Sequence, residues 1–177
     1  MRKKKRRGPP PICQNVNVIQ TESFIALESL SGYGLVWPED GSVPEFMAAD
    51  SDARALGAAL LAALARCRHI PLNDPDSYDM VNYIRNSRHS EKELLRRTGK
   101  RTKTEAYKNA LWCCVRRAEG EIHIQPFRPA TRGKWDMLPV EMCGVIPETV
   151  DSESLGGALI LALERVAIFA ASRDRGH

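Results

Sequence analysis

The sequence has little of what would place it in a membrane, in an oxidising compartment or at a metal centre. Its longest apolar run, at 55–65, has 11 residues, well short of the ~20 that a membrane-spanning helix needs. The five cysteines are odd in number and form no Cys-x-x-Cys pair, so neither a disulfide framework nor a zinc site is indicated. No apolar stretch follows the basic start, so no secretory signal is expected. We therefore predict a cytoplasmic protein with reduced thiols, no metal and no cofactor.

The net charge of +4 comes from one end of the chain. Six of the 26 basic residues lie in the run Arg2–Arg7, and the remaining 20 face 22 acidic residues, which leaves −2 for the rest. A terminal run of like charges is typical of a solvated tail, and the prolines at 9–11 cannot continue a helix. We predict a disordered basic, proline-rich tail at 1–11, with attraction of phosphate as the alternative.

The first half of the chain predicts strands followed by a helix. Turn-forming residues separate β-prone runs, and an Ala/Leu-rich stretch follows Ser51 and Asp52, either of which is a suitable N-cap. The predicted elements are strands at 24–27 and 33–37 separated by Ser31-Gly32, a turn at 38–41 and a helix at 53–68.

The second half repeats this order after an intervening helical region. The predicted elements are a loop at 72–77, a mixed segment at 80–85, a helix at 90–97 capped by Ser90 and closed by Gly99, a turn at 104–108 capped by Thr104, a hairpin of 111–117 with 121–125, and a helix at 153–170 capped by Asp151. These assignments rest on residues that typically cap helices and on the spacing that is typical of a hairpin.

The two Ala/Leu-rich helices align at an offset of 99 residues. Seven of the eleven positions from Leu56 to Arg66 are identical to their partners, which predicts an internal repeat. Glycines at 57 and 156 weaken a helix, so we expect them to allow close packing, with anion binding at the helix N-terminus as the alternative. The predicted fold is α+β: one compact domain at 12–170 with an antiparallel sheet, two long helices and pseudo-halves at about 20–70 and 105–170, and a C-terminal tail at 171–177.

Candidates for chemistry are few. The four histidines are scattered and form no metal-ligand motif. In the predicted hairpin Cys114 and His123 share a face, which would suit a nucleophile pair, but strand alternation alone places them there and no third residue orients them. The basic stretch 96–103 has only Tyr107 and Trp112 nearby as stacking residues, so we favour a solvated turn. Trp112 is expected in the core, whereas Trp37 and Trp135 lie beside turn residues and are candidates to face a partner.

Short motifs in a fixed order resemble the CdiI family, the immunity proteins of bacterial contact-dependent growth inhibition systems. A tyrosine followed by a Pro-Glu-Asp-Gly turn and the first Leu-Gly-Ala-Ala-Leu helix extend the resemblance over most of residues 22–168. The motifs are Asn86-Ser87-Arg88, Arg97-Thr98-Gly99, Thr102-Lys103, Lys108-Asn109, Cys114, Glu121-Ile122-His123-Ile124-Gln125-Pro126, Trp135 and Leu155-Gly156-Gly157-Ala158-Leu159.

The resemblance implies a protein that binds and neutralises the C-terminal toxin domain of its cognate CdiA effector, without catalysis. Such toxins are often nucleases, frequently tRNases. A basic toxin cleft would be complemented by carboxylates on loops, with an aromatic residue as an apolar anchor. The predicted toxin-binding residues are Trp37, Glu39, Asp40, Asp74, Asp76, Tyr78, Asp79, Glu119 and Glu121; the alternative for these acids is surface solubility.

Two other function classes compete with this interpretation. A nucleic-acid-binding protein would use the basic tail and the basic turn at 96–103. An enzyme built on Cys114 and His123 would lose its activity on Cys114→Ala. We do not expect a nucleic-acid or membrane partner, and the sequence leaves the oligomeric state open.

Overall fold

Alternating side chains build the central strands of an antiparallel sheet. The computed structural model describes residues 13–33, 35–38, 43–70, 80–129 and 135–174. In its first strand Val16 and Val18 are fully buried, and Asn17 between them faces the opposite side of the sheet. The eight strands among the described residues are β1 Gln14–Gln20, β2 Phe24–Tyr33, β3 Leu35–Pro38, β4 Glu45–Ala48, β5 Leu111–Ala118, β6 Glu121–Pro129, β7 Trp135–Met137 and β8 Gly144–Pro147.

Within the described ranges, four helices accompany the sheet, together with a 3-10 turn at Val140–Met142. Two long helices begin at carboxylate caps: Asp52 accepts the backbone N–H of Ala55 at 2.8 Å, and Asp151 accepts that of Ser154 at 2.9 Å. These bonds satisfy N–H groups that have no partner inside the helix. The helices are α1 Ala53–Arg66, α2 Met80–Thr98, α3 Lys103–Ala106 and α4 Ser152–Asp174.

The main core lies between one face of the sheet and the pair α1 and α4. Fully buried leucines of both helices pack against apolar residues of β1, β2, β5 and β6, and each such leucine contributes roughly 1.5–3 kcal/mol. A smaller cluster of Phe24, Ala26, Leu94 and Ala106 lies on the other face, below α2 and α3. The sheet is thus covered by two helices on one face and only partly covered on the other.

Strand pairing is equivalent in the two halves of the sheet. The central order is β3-β2-β1-β5-β6-β7. The start of β2 pairs with β4 and its end with β3, and in the same way the start of β6 pairs with β8 and its end with β7. Val16 faces Val115 where the antiparallel strands β1 and β5 meet, at the same 99-residue offset as the helices. The α+β fold and its pseudo-repeated halves are confirmed.

Gly57 of α1 and Gly156 of α4 lie where the two helices cross. A Cβ on Gly57 would lie 1.7 Å from the carbonyl oxygen of Ser152, and one on Gly156 would lie 1.8 Å from that of Ala53. These contacts are reciprocal, as a local twofold relation requires. The glycines therefore permit close packing between the repeated helices, as the sequence predicted.

Three predicted elements were wrong in detail. β2 runs unbroken through Ser31-Gly32, because backbone bonds from β3 and from the segment after α1 hold the glycine. α2 begins at Met80, so Ser90 lies inside the helix and is not its cap. Thr102, not Thr104, caps α3, in a capping box with Glu105. The domain boundaries at 1–11, 12–170 and 171–177 stay a prediction, although α4 continues to Asp174.

Candidate functional site

A cavity of about 360 Å³ lies between the partly covered face of the sheet and α2. Strands β1 to β5 form its floor, and α2, α3 and residues near Tyr107 and Trp135 form its walls. This volume is within the range of ligand pockets, about 300–1,000 Å³. Concave surfaces with convergent polar groups are where binding is expected first, so this cavity is the candidate site among the described residues.

In the part of the floor formed by β1, β2 and β5, a polar and an apolar row of residues cross the strands in register. Glu28 of β2 lies opposite Asn17 of β1, which lies opposite Cys114 of β5. Two residues along each strand, Ala26 lies opposite Ile19 and Ile19 opposite Trp112. The Asn17 amide donates weakly to one Glu28 oxygen, Oε2, at 3.5 Å.

Helix α2 lines the cavity with residues spaced three and four apart. Ser87, Ser90, Glu91 and Leu94 face the sheet, as residues on one side of a helix must. Leu94 is buried in the small apolar cluster. Glu91 Oε2 lies 3.1 Å from the Nζ of Lys103, which comes from the start of α3. Helix α2 therefore covers one side of the cavity with three polar side chains and one leucine.

Four aromatic rings form a continuous wall. Trp112 stacks on Phe127 with centroids 4.2 Å apart, and Trp135 meets Trp112 edge to face at 5.3 Å and Tyr107 at 5.7 Å. Burial, then the carboxylates of Glu28 and Glu91, raise the pKa of Tyr107 to about 12. The phenol therefore lies in an apolar site with a negative field.

The structure describes three of the nine predicted toxin-binding residues. Trp37 is only 6 % exposed, so its indole belongs to the interior and offers little surface to a partner. Glu119 and Glu121 are exposed at the tip of the β5–β6 hairpin, where Glu121 Oε2 lies 3.1 Å from His123 Nε2. This tip is at the opposite end of β5 from Trp112. The other six, Glu39, Asp40, Asp74, Asp76, Tyr78 and Asp79, lie outside the described residues.

Cys114 and His123 do not form a nucleophile pair. They share a face as expected, but Cys114 lies opposite Gln125, and His123 lies opposite Arg116 and contacts Glu121. Burial raises the pKa of the Cys114 thiol to about 11, and only the thiolate is an effective nucleophile. The arrangement gives no support to catalysis at this position.

Three basic side chains of the stretch 96–103 form ion pairs with carboxylates of the same chain. Glu93 Oε1 lies 2.6 Å from Arg96 and 2.8 Å from Arg97, and these bonds lower the pKa of Glu93 to about 2. Lys103 is paired with Glu91. Tyr107 and Trp112 line the cavity, where the Lys103 ammonium lies 5.8 Å from the centroid of the Tyr107 ring, and they do not form an exposed surface for stacking bases. The nucleic-acid interpretation therefore lacks an aromatic platform in the described part of the chain.

Neither a metal site nor a membrane span is found in the described ranges. No group of three or more His, Cys, Asp or Glu side chains there has the arrangement to hold a metal ion. No helix within those ranges is long and apolar enough to cross a membrane.

Sequence reasoning missed the residues that line the cavity. Asn17 is one of four polar residues in the strand Gln14–Gln20 and Glu28 lies within β2, so neither stood out from the sequence as part of a cavity. Trp112, expected in the core, lies instead on the partly covered face with Trp135. Ser90 and Glu91 lay within the predicted helix at 90–97, but its pattern did not show that they face the sheet, and Ser90 was predicted to be the helix cap.

Comparison with known proteins identifies both a family and a fold. A family model described as CdiI, CDI immunity protein, matches residues 14–166, whereas no curated protein sequence matches. A protein of unknown function from Neisseria meningitidis shares the fold with a TM-score of 0.80 at 22% identity, covering 90% of this chain and 98% of its own. A chain of the CdiA-CT/CdiI toxin and immunity complex from Yersinia pseudotuberculosis does so with a TM-score of 0.79 at 20% identity, covering 87% and 97%.

Proposed function

The chain belongs to the family of CDI immunity proteins, and we propose that it binds the C-terminal toxin domain of a cognate CdiA effector and blocks the toxin in the bacterial cytoplasm. The family match over residues 14–166 carries this proposal. A solved structure that shares its fold comes from a CdiA-CT/CdiI toxin and immunity complex. Neutralisation by binding requires no catalytic group, in agreement with the protonated, half-buried thiol of Cys114.

We propose further that the toxin is a nuclease, with tRNA as one candidate substrate. A nuclease binds phosphate through basic groups, and an inhibitor that presents carboxylates complements such a cleft and speeds association. Outside the basic run at 2–7, acidic residues outnumber basic ones by 22 to 20. Gel analysis of RNA and DNA from cells that express the toxin domain without the immunity protein tests this: selective loss of intact tRNA supports it, and intact nucleic acids contradict it.

The acidic loops are proposed as part of the toxin-binding surface. They form three clusters in the sequence: Glu39 with Asp40; Asp74, Asp76 and Asp79 around Tyr78; and Glu119 with Glu121. Trp37 is not proposed as an anchor, because it is buried. Of these the hairpin tip is visibly exposed. Glu119 and Gly120 adopt positive φ angles of 55° and 82°, which turns the chain sharply and presents both acids outward.

Charge reversal of the cluster at 74–79 is the first test. Changing Asp74, Asp76 and Asp79 together to lysine should weaken binding of the toxin domain by about 1–3 kcal/mol, through lost complementarity and new repulsion. Calorimetry with a catalytically inactivated toxin domain measures the change, and growth on co-expression measures protection. A charge-matched control reverses Asp50, Glu141 and Glu164, which are exposed and belong to none of the three clusters. Undiminished affinity after reversal of each of the three clusters would contradict the acidic-loop proposal while leaving toxin binding itself intact.

A further inference from the structure

Three buried polar atoms meet in the cavity under α2 without a hydrogen-bond partner among the described residues. They are Glu28 Oε1, Ser90 Oγ and Trp112 Nε1, and all three residues line the cavity. Leaving a buried polar atom unpaired is costly, and native proteins do so rarely. Three unpaired polar atoms around one cavity indicate that a bound molecule supplies their hydrogen-bond partners.

The unpaired atoms specify the chemistry of that molecule. A carboxylate oxygen needs a donor, an indole N–H needs an acceptor, and a hydroxyl serves as either. A simple metal ion provides no acceptor for Trp112, and an anion provides no donor for Glu28. A polypeptide segment with a basic side chain provides both, through its ammonium or guanidinium and its backbone carbonyl.

The charges in the cavity also favour a cation. Two carboxylates and one ammonium line it, and the ammonium of Lys103 is bound to Glu91 at 3.1 Å. Glu28 has only the weak contact with the neutral amide of Asn17. One carboxylate therefore has no cation among the lining residues.

The aromatic wall suits the same ligand. Tyr107, Trp112 and Trp135 line the cavity, and a cation held against such rings is attracted by their π electrons. The raised pKa of Tyr107 reports the same negative field, since Glu28 and Glu91 both contribute to it. A planar guanidinium can stack on a ring and donate two parallel bonds to a carboxylate at once.

We infer that the cavity takes a basic side chain, best an arginine, whose cationic head binds Glu28 between the aromatic rings while a neighbouring carbonyl accepts from Trp112. The source is a segment of the bound toxin, so the inference rests on the proposed function. It gives this immunity protein a specific anchor point in addition to its exposed acidic loops.

Small probes test the chemistry of the cavity without the toxin. Nα-acetyl-arginine-N-methylamide is compared with the citrulline analogue, which has nearly the same shape and no charge. We expect the arginine probe to quench or shift tryptophan fluorescence saturably and to bind at least about ten-fold tighter than the citrulline probe. Glu28→Gln, which keeps the side-chain shape, should abolish the difference, and Glu164→Gln on the exposed side of α4 should preserve it.

Calorimetry with the toxin domain tests the source of the basic side chain. Glu28→Gln should weaken binding of the toxin domain about ten-fold or more, whereas Glu164→Gln should not. Thermal unfolding of both variants checks that the fold persists. We expect no loss of stability in Glu28→Gln, because Oε1 has no partner to lose among the described residues.

The outcomes separate the inference from the proposed function. If the wild-type chain binds the toxin domain and Glu28→Gln binds it equally well, the toxin-anchor inference is overturned and the immunity function stands. If that happens while the arginine probe still depends on Glu28, the cavity takes a free organic cation instead. If the wild-type chain fails to bind the toxin domain, the proposed function itself is overturned. Equal binding of the arginine and citrulline probes overturns the charge argument.

Discussion

Tyr107 is the residue in which the electrostatics of the cavity can be measured directly. Its pKa is raised to about 12, first by burial and then by Glu28 and Glu91. Glu28→Gln removes one negative charge, so we expect this pKa to fall but to stay above its ordinary value of about 10, because burial remains. Alkaline titration of tyrosinate absorbance measures the change, and Tyr107→Phe identifies the transition.

The same shift has a consequence for stability at high pH. Because the folded-state pKa lies above that of the unfolded chain, the contribution of Tyr107 is fully present below about pH 10 and is lost as the pH rises towards about 12. Unfolding midpoints at pH 9 and above should therefore fall less steeply in Tyr107→Phe than in the wild type. Equal slopes would mean that the pKa of Tyr107 is not raised in the folded state.

Individual residues of the cavity were the part of the molecule that the sequence described least well. Asn17 between two buried valines was visible as a polar residue facing away from the core, since strand alternation is a local pattern. Its neighbours Glu28 and Cys114 depend on strand register, which long-range pairing decides. Ser90 looked like a helix cap because serine favours that position, and only packing against the sheet shows that it lies mid-helix.

The crossing of α1 and α4 is tested by three glycine substitutions. Gly57→Ala or Gly156→Ala would place a Cβ within 2 Å of a backbone carbonyl oxygen, so we expect each to lower the free energy of unfolding by about 1–3 kcal/mol or more. Gly157→Ala is the matched control, since no atom lies within 4 Å of its new Cβ and alanine is the better helix former. It should stabilise the protein by up to about 1 kcal/mol.

Urea denaturation of the three variants measures these changes. The double variant Gly57→Ala, Gly156→Ala should cost less than the two single costs added together, because both substitutions open the same helix contact. If Gly57→Ala and Gly156→Ala left the free energy of unfolding unchanged or raised it, as we expect for Gly157→Ala, the helices would not need the close contact at this crossing.

At the level of elements, strong local signals predicted well and weak ones did not. α1 and α4 have carboxylate caps and an Ala/Leu pattern, and both were located to within a turn. The β5–β6 hairpin followed from its short turn and β-prone flanks. α2 was predicted too short because Asn82, Ser87 and His89 are weak helix formers, and the packing of its polar and apolar stripe against the sheet outweighs that propensity.

For the molecule as a whole, the repeat places the two glycine-containing helices on one face of the sheet and leaves the other face to α2 and α3. The sequence showed the repeat at an offset of 99 residues because α1 and α4 have the same residues at the positions where they pack. The segment between the halves has no counterpart in the repeat, and it closes the cavity. The equivalent halves therefore build the scaffold with the floor and the aromatic wall of the cavity, and α2 covers that cavity.

Removal of the basic tail tests whether recognition depends on this scaffold alone. The family match begins at residue 14, beyond the six basic residues at 2–7, so we expect deletion of residues 1–8 to leave toxin neutralisation intact. Growth on co-expression with the toxin domain and the affinity of the purified pair measure this. A full-length variant with glutamine at the six basic positions separates charge from chain length. If the tail did bind the toxin, both variants would lose affinity. The loss would be greatest at low salt, where exposed charges interact over the longest range. Loss of protection with the fold intact would show that the tail belongs to the interface.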